Sequence, residues 1–411
     1  MPITKAQLSI ISESANEIVV GIDSYDSNSP RHDMWRKEGH SGSARNEGIR
    51  VGKDINPNEY FYDNSVEPNK NYRYELSSHS LPLTAPQGHE SGVNILVDTD
   101  MHNDCDDGGA LHMLHNLHRR GECGIACVVA NPRSFWPAGA VEAQLVHLGY
   151  DTINEVPVGS YKGNNVGREQ PDNEHYVDIR NDTSEYGHTR TDRIQDFPDA
   201  VDIIRQTLVN LPSDATNVYA SIGFLSNIKE FLESGPDSIS PLTGIELAQQ
   251  KLSRWEIMGG DYPTGDEHNF SSHGADFYTQ DAINLVNQTG LPVYFTGFSL
   301  GRDVRSGTKI LDLHNQGLIP ATDPLYRAYL EVVGGNFRHY SYDHNTVIGA
   351  VRGLSTYFDL VQGEITVSSN GSNTWTNDSN GPHFYATIGS QWSESDLEDL
   401  YDDLMTEHFE E

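Results

Sequence analysis

Basic residues are scarce. In 411 residues, 27 Lys and Arg stand against 60 Asp and Glu, for a formal charge of −33 at pH 7. A surface this acidic repels phosphate backbones and anionic headgroups, which argues against nucleic acid and membranes as partners. Long apolar runs are missing too. No stretch reaches the roughly 18 consecutive apolar residues that a membrane-spanning helix needs. The opening MPITKAQLSIISESANE has no basic start followed by an apolar core, so no signal peptide is expected. The default location is cytoplasmic, with a secreted protein whose signal has been removed as the alternative. Cysteine is nearly absent. Cys105, Cys123 and Cys127 are too few for a disulfide framework and are not spaced as a zinc ribbon. Cys123 and Cys127 sit around a buried strand, and Cys105 is expected to pack rather than to act as a thiol nucleophile. What remains is 36% hydrophobic, with five Trp and twenty Tyr, enough for real cores in two domains or three.

The first 86 residues differ from the rest. Short β-type runs at Glu17–Ile22, His32–Arg36, Ile49–Val51, Tyr60–Tyr62 and Tyr72–Leu76 alternate with Asn, Ser, Gly and Pro clusters, the pattern of a small all-β sandwich. Residues 87–92 close a linker that begins near Leu81, in LPLTAPQGHESG. From Val93 onward, buried strands alternate with helices: Gly124–Ala130, helix Trp136–Leu148, Val156–Gly163, helix Ala200–Leu211, Asn217–Ile222, then a helix at Asp281–Asn287 and a strand in Leu291–Gly301. That alternation predicts an α/β domain with a mostly parallel sheet flanked by helices. Residues 164–197 show no periodicity and read as a long surface loop near the site. Near the C-terminus, Asn370-Gly371 predicts a hairpin turn. Leu397, Leu400, Tyr401 and Leu404 form one apolar stripe of a packing helix.

The chain is organised around Asn94–Leu114, NILVDTDMHNDCDDGGALHML. Ile95-Leu96-Val97 reads as a buried parallel strand, and Asp106-Asp107 opens a helix. Asp98, Asp100, Asp104, Asp106 and Asp107 therefore gather at the C-terminal end of a strand, the edge where open α/β sheets bind ligands. Five carboxylates in one loop repel each other unless a cation is present, and oxygen-only ligands suit calcium or magnesium better than zinc. A single such aspartate would be read as a helix cap. An EF-hand does not fit, because Leu114 falls where its bidentate Glu belongs. A phosphotransfer loop with Asp98 as nucleophile and Asp100 as its partner stays open, although it leaves Asp106-Asp107 without a role.

DTDMHNDCDDGGAL resembles the N-terminal aspartate motif of the inosine-uridine-preferring nucleoside hydrolase family, in its longer form with two extra residues between DTD and DD. Three later segments follow in the family's order. Ile222-Gly-Phe-Leu-Ser-Asn227 is similar to the segment whose first backbone carbonyl completes the metal shell. Met258-Gly-Gly, followed by Glu267-His-Asn269, is similar to a Met-Gly-Gly and Glu-Phe-Asn pair that holds sugar hydroxyls. Tyr342-Asp343-His344 stands where the last metal-binding aspartate is expected. The likeness runs from about Val93 to Gly389. In the first unit, YFYDNSVEPNKNYRYELSS is similar to the end of a fibronectin type III domain, and only the fold is carried over.

The resemblance implies a calcium-dependent hydrolase that cleaves the N-glycosidic bond of a ribonucleoside or related N-riboside. Calcium would be held among Asp100, Asp104, Asp106, Asp107, Asp343 and the Ile222 carbonyl. Which of Asp104 and Asp106 faces the ion depends on where the two extra residues fall. Asp100 is implied as the general base, with Tyr342 beside the leaving base where some members carry a histidine. Asp106, Asn131, Met258, Glu267 and Asn269 are implied at the sugar. A phenol of pKa near 10 is a weak acid, so His102, His268 and His344 are candidate replacements. The helix begins Asp-Asp-Gly where Asp-Asp-Ala is usual. Two other functions stay open: a non-catalytic ribose or carbohydrate binder on the same fold, and a magnesium-dependent phosphohydrolase. Expected partners are a small nucleoside, a further copy of the chain, and a glycan or protein for the N-terminal module.

Overall fold

The computed structural model describes residues 92–101, 104–163, 174–271 and 278–410, together with the strand backbones of residues 7–79. His102 and residues 164–173 lie outside the described residues, as does most of the linker. The chain divides into two compact units, Met1–Ala85 and Pro86–Glu410.

In the first unit, strands β1 (Gln7–Glu13), β2 (Ile18–Ser24) and β5 (Phe61–Asp63) form one antiparallel sheet in the order β1-β2-β5. A second antiparallel sheet, β4-β3-β6, is built from β3 (Arg31–Glu38), β4 (Ile49–Ile55) and β6 (Tyr72–His79). The sequence runs anticipate β2 to β6, whereas β1, alternating Ser with Leu and Ile, was not anticipated.

Among the described residues, the second unit is built on a ten-stranded sheet. Parallel strands β9 (Val158–Ser160), β8 (Cys123–Ala130), β7 (Val93–Thr99), β10 (Thr216–Ile222), β11 (Arg254–Met258), β13 (Val293–Thr296) and β18 (His383–Ile388) lie side by side in that order. Antiparallel strands β16 (Phe358–Val367), β17 (Asn373–Asn377) and β12 (Thr264–Gly265) extend the β18 side. Strand β7 is buried along its whole length, as a strand covered on both faces must be. Ile95 and Val97 enter one core cluster with helices α1 (Asp106–Arg119), α2 (Pro137–His147), α5 (Tyr342–Arg352) and α6 (Glu394–Thr406). Leu96 enters the other, with α3 (Ala200–Asn210) and α4 (Ser226–Glu233). This two-residue alternation is the pleat itself. Because β7, β8, β10, β11 and β13 run the same way, Thr99, Ala130, Ile222, Met258 and Thr296 all end at one edge of the sheet.

Two expectations are corrected. The segment after residue 173 is not loop: Glu174–Asn181 and Thr183–Tyr186 are helical, with Tyr176, Ile179 and Tyr186 buried in the core. Three apolar anchors in an otherwise polar stretch make a periodicity too thin to read. In Leu291–Gly301 the strand stops at Thr296, and Phe298–Asp303 turns into a helix. The predicted hairpin joins β16 to β17 through Gly371, whose φ of 86° suits glycine. Helix α6 buries Leu397, Tyr401 and Leu404. Among the described residues, no helix is long and apolar enough to cross a membrane.

Candidate metal centre

The aspartate loop leaves β7 and turns sharply at Met101, whose φ of 36° lies in the left-handed region. A non-glycine residue is held there only when its surroundings over-determine the geometry. Here the Met101 N–H donates to Asp107 Oδ1 at 3.0 Å, and the Thr99 hydroxyl donates to the same oxygen. Asp106 and Asp107 occupy the first turn of α1, and Asp343 the first turn of α5. Two helix N-termini thus meet, and their dipoles favour the carboxylates placed there. The Asp343 N–H donates to Asp106 Oδ2 at 3.1 Å, tying one terminus to the other.

Asp106, Asp107 and Asp343 each place a carboxylate oxygen within 4.8 Å of the other two. Oxygens bound to one calcium ion at about 2.3–2.6 Å can lie this far apart. Asp106 Oδ1 and Asp107 Oδ2 are buried without a hydrogen-bond partner, a costly state unless something else satisfies them. Burial pushes the Asp107 carboxyl up to about 7, and neighbouring Asp104 adds to the rise. Burial and neighbouring carboxylates likewise hold Asp100, Asp106 and Asp343 well above the usual range. An all-oxygen, crowded, orphan-bearing donor set is one that a hard divalent cation fits.

Asp100 lies beside this group, with Asp107, Asp104 and Glu267 all acting on its carboxyl. Ile222 pairs in parallel register with Thr99, which brings the end of β10 against the start of the aspartate loop. The approach is close enough to require glycine next. A Cβ on Gly223 would stand 2.5 Å from the Asp100 nitrogen and 2.8 Å from the Asn131 amide. Asp104 takes a different neighbour. Its Oδ2 lies 3.5 Å from His339 Nε2. Burial alone would raise its carboxyl, but the His339 imidazole and a hydrogen bond with Asp106 bring it down to about 2. Asp106 is therefore the residue of the pair that converges with Asp107 and Asp343.

The residues implied at the sugar are more committed within the protein. Asn131 donates to Asp98 Oδ1 at 3.0 Å and accepts from the Phe224 N–H at 3.1 Å. Glu267 accepts from the backbone N–H groups of Gly260 (2.9 Å), Asn269 (2.7 Å) and Phe270 (3.3 Å), and burial still raises its carboxyl to about 7. Asn269 donates to Met258 Sδ at 3.1 Å. Tyr342 is half-buried and stacks on Phe298 with centroids 5.4 Å apart. Burial and the nearby Asp106 push its phenol further above its ordinary value. His344 does not reach the site: it is buried against Met405 Sδ and Tyr401, and burial depresses its imidazole to about 3. At the Asp-Asp-Gly departure, a Cβ on Gly108 would meet the Gln144 side-chain amide at 3.1–3.2 Å, and the next residue, Gly109, leaves room for His344, since a Cβ there would meet its Nε2 at 2.5 Å. His268 packs against Phe224. Cys105 is buried at the start of α1, and burial pushes its thiol well up, so it packs.

Asp98 is not a free carboxylate. Its Oδ1 accepts from Asn131 and from Asn227 at 2.8 Å, and its Oδ2 from the Tyr219 hydroxyl at 2.9 Å. Fully buried and engaged on both oxygens, it has no face for a phosphoryl group, and the nucleophile expectation is withdrawn. Three participants were missed at the level of sequence. Thr99 was visible inside DTD and Asn227 inside the Ser-Asn pair, but nothing in the pattern around His339 marks it.

No family profile matches the chain, and no curated protein matches it in sequence. Solved structures do match. A purine-preferring ribonucleoside hydrolase from Gardnerella vaginalis superposes with a TM-score of 0.56 at 16% identity, covering 77% of this chain and 99% of that one. An inosine-uridine-preferring nucleoside hydrolase from Bacillus anthracis gives 0.56 at 15%, covering 78% and 99%. The type III effector protein XopQ, solved with adenosine diphosphate ribose, gives 0.54 at 13%, covering 78% and 95%. The mostly parallel sheet with its flanking helices therefore has the nucleoside hydrolase fold.

Proposed function

We propose that this chain is a calcium-dependent hydrolase that cleaves the N-glycosidic bond of a ribonucleoside or related N-riboside, yielding free base and ribose. The observation that carries the reading is the convergence of Asp106, Asp107 and Asp343, with two orphaned buried oxygens, at the edge where β7 and β10 end. Structures of the same fold are named as nucleoside hydrolases, which supports the same direction. Asp100, Asp106, Asp107, Asp343 and the Ile222 carbonyl would hold the ion, with Asp106 also turned toward a sugar hydroxyl. Calcium, when bound, supplies a Lewis acid that lowers the pKa of a water and anchors hydroxyls.

The chain's own residues do the rest. Asp100, beside Asp107 at the end of β7, accepts the proton of the attacking water in its ionised form. Glu267 and Asn269, fixed by their backbone partners, present their remaining polar capacity to the ribose. Asn131 acts as a positioning residue through Asp98 and Phe224. Tyr342 donates a hydrogen bond to the departing base as a neutral phenol. Hydrolysis through an oxocarbenium-like centre needs no more than a placed water, its base and a stabilised leaving group.

The test is incubation of the calcium-loaded protein with a panel of purine and pyrimidine nucleosides and nicotinamide riboside, with free base and ribose resolved by chromatography. Release of base and ribose from at least one member supports the reading. No release from any, with ribose or nucleosides still bound in calorimetry, selects the second reading of a ribose-binding protein without turnover. That reading is favoured by one observation, the upward shift of the Tyr342 phenol away from useful acidity. We further propose that the first unit is a fibronectin type III-like module that docks to a glycan or protein. Truncation at the linker, with activity and glycan-array binding compared, tests that assignment.

A further inference from the structure

Beside the oxygen-only centre lies a second convergence with a different donor set. Asp104, Asp106 and His339 each bring one ligand atom within 4.8 Å of the other two. They come from separate places: Asp104 from the loop before α1, Asp106 from the first turn of α1, and His339 from the short strand β15 (His339–Tyr340), which pairs with β14 (Arg305–Ser306). Only Asp106 is shared with the Asp106–Asp107–Asp343 group.

Two atoms of this trio lack a hydrogen bond although they are buried, Asp106 Oδ1 and His339 Nε2. Asp106 is 0% exposed, and the His339 side chain only 11%. An imidazole nitrogen shut away from solvent and facing two carboxylates is either a proton donor or a ligand. The spacing favours the ligand. His339 Nε2 and Asp104 Oδ2 stand 3.5 Å apart, longer than the roughly 2.7–2.9 Å of a charge-assisted hydrogen bond. Two ligands on a tetrahedral ion with bonds of about 2.1 Å lie about 3.4 Å apart. One imidazole with two carboxylates also suits a different ion from its neighbour, since nitrogen ligation moves preference from calcium toward zinc.

We propose that Asp104, Asp106 and His339 form a second divalent-cation site, suited to a nitrogen-seeking ion, with Asp106 bridging it to the oxygen-only centre. Two ions bridged in this way sit about 3.5–4 Å apart.

The test uses the full chain, stripped of metal and saturated with calcium. Zinc is then titrated by calorimetry and counted by plasma mass spectrometry after desalting. The wild type is expected to take up one further equivalent of zinc. His339→Ala should lose that equivalent and Asp104→Asn should bind it at least tenfold more weakly, both with calcium uptake unchanged. Circular dichroism checks the fold of each variant, and the two substitutions act independently if one folds poorly. Protein loaded with manganese alone should give a broadened, magnetically coupled resonance signal that reverts to an isolated six-line pattern in His339→Ala. Absence of a further zinc equivalent in the wild type, or its survival in both variants, overturns the site and leaves His339 and Asp104 as an ion pair. An isolated manganese signal in the wild type removes the shared Asp106. These readouts count metal and stand whether or not nucleosides are hydrolysed.

Discussion

Asp98 and Asp107 sit nine residues apart, both fully or almost fully buried, and burial pushes the carboxyl of each up to about 7. Their surroundings nevertheless differ. Asp98 is enclosed by three donors, Asn131, Asn227 and Tyr219, which claim both of its oxygens. Asp107 has one oxygen fixed by Thr99 and Met101 and the other with no hydrogen-bond partner, turned among carboxylates. The first arrangement is complete as it stands and ties β7, β8 and β10 together. The second is incomplete, and its deficit is one of positive charge. A raised carboxyl pKa is common to both, so it is the count of satisfied oxygens that separates a structural aspartate from a candidate ligand.

The sharpest way to break that contrast is Asp107→Ala. Removing this carboxylate takes away a charged ligand and leaves the Thr99 hydroxyl and Met101 N–H without their acceptor. Calcium affinity is expected to fall by more than about 100-fold, or about 2.7 kcal/mol, and hydrolysis should vanish with it. Calorimetry on stripped protein gives the first figure. An undiminished affinity would remove Asp107 from the centre.

Asp98→Ala should act in the opposite sense. It strands three buried donors, and each unsatisfied group costs about 1–3 kcal/mol. The change is expected to lower stability by roughly 2 kcal/mol or more in chemical denaturation while calcium affinity in the folded protein changes less than threefold. A large loss of affinity with unchanged stability would reverse the two roles.

The contrast also explains what could be read from sequence. The α/β alternation, the sheet edge and the ordered segments around Asp107, Ile222, Met258 and Asp343 were legible because strand ends and glycine turns carry local signals. The difference between Asp98 and Asp107 was not, because the partners of Asp98 lie 33 to 129 residues away. His339 was invisible for the same reason: it stands in β15, 235 residues from Asp104, and only the tertiary fold brings the two to 3.5 Å. His344 was misread because an aspartate at a helix start points to the site while its next neighbour turns inward to Met405.

The shared pKa elevation gives a subtler test. Burial lifts the carboxyls of Asp98, Asp107 and Glu267 from their ordinary values near 4 to about 7. Between those limits the metal-free folded chain holds more protons on these groups than the unfolded one, so their contribution to stability falls as pH rises from about 4 to 7. Calcium needs the carboxylates ionised, so its stabilising effect grows through the same window. The thermal shift produced by a fixed excess of calcium is expected to be about 3–5 °C larger at pH 7.5 than at pH 5. A shift independent of pH would mean that the titrating groups are not those that bind the ion.

The smallest expected effect concerns Tyr342, which lies near both carboxylate groups yet belongs to neither. Its ring is fixed by stacking on Phe298 and by Tyr340, whose centroid is 5.5 Å away, so removing the hydroxyl should leave the ring in place. Burial and Asp106 hold the phenol protonated well beyond the working pH range, so it can donate a hydrogen bond without giving up its proton. Tyr342→Phe should therefore lower kcat by about three- to tenfold, near the roughly 1 kcal/mol worth of one hydrogen bond, with calcium affinity unchanged. A fall of about 100-fold or more would require full proton transfer, since general acid catalysis contributes at that level. The phenol would then have to be acidified by bound substrate, against the direction set by its buried, acidic surroundings.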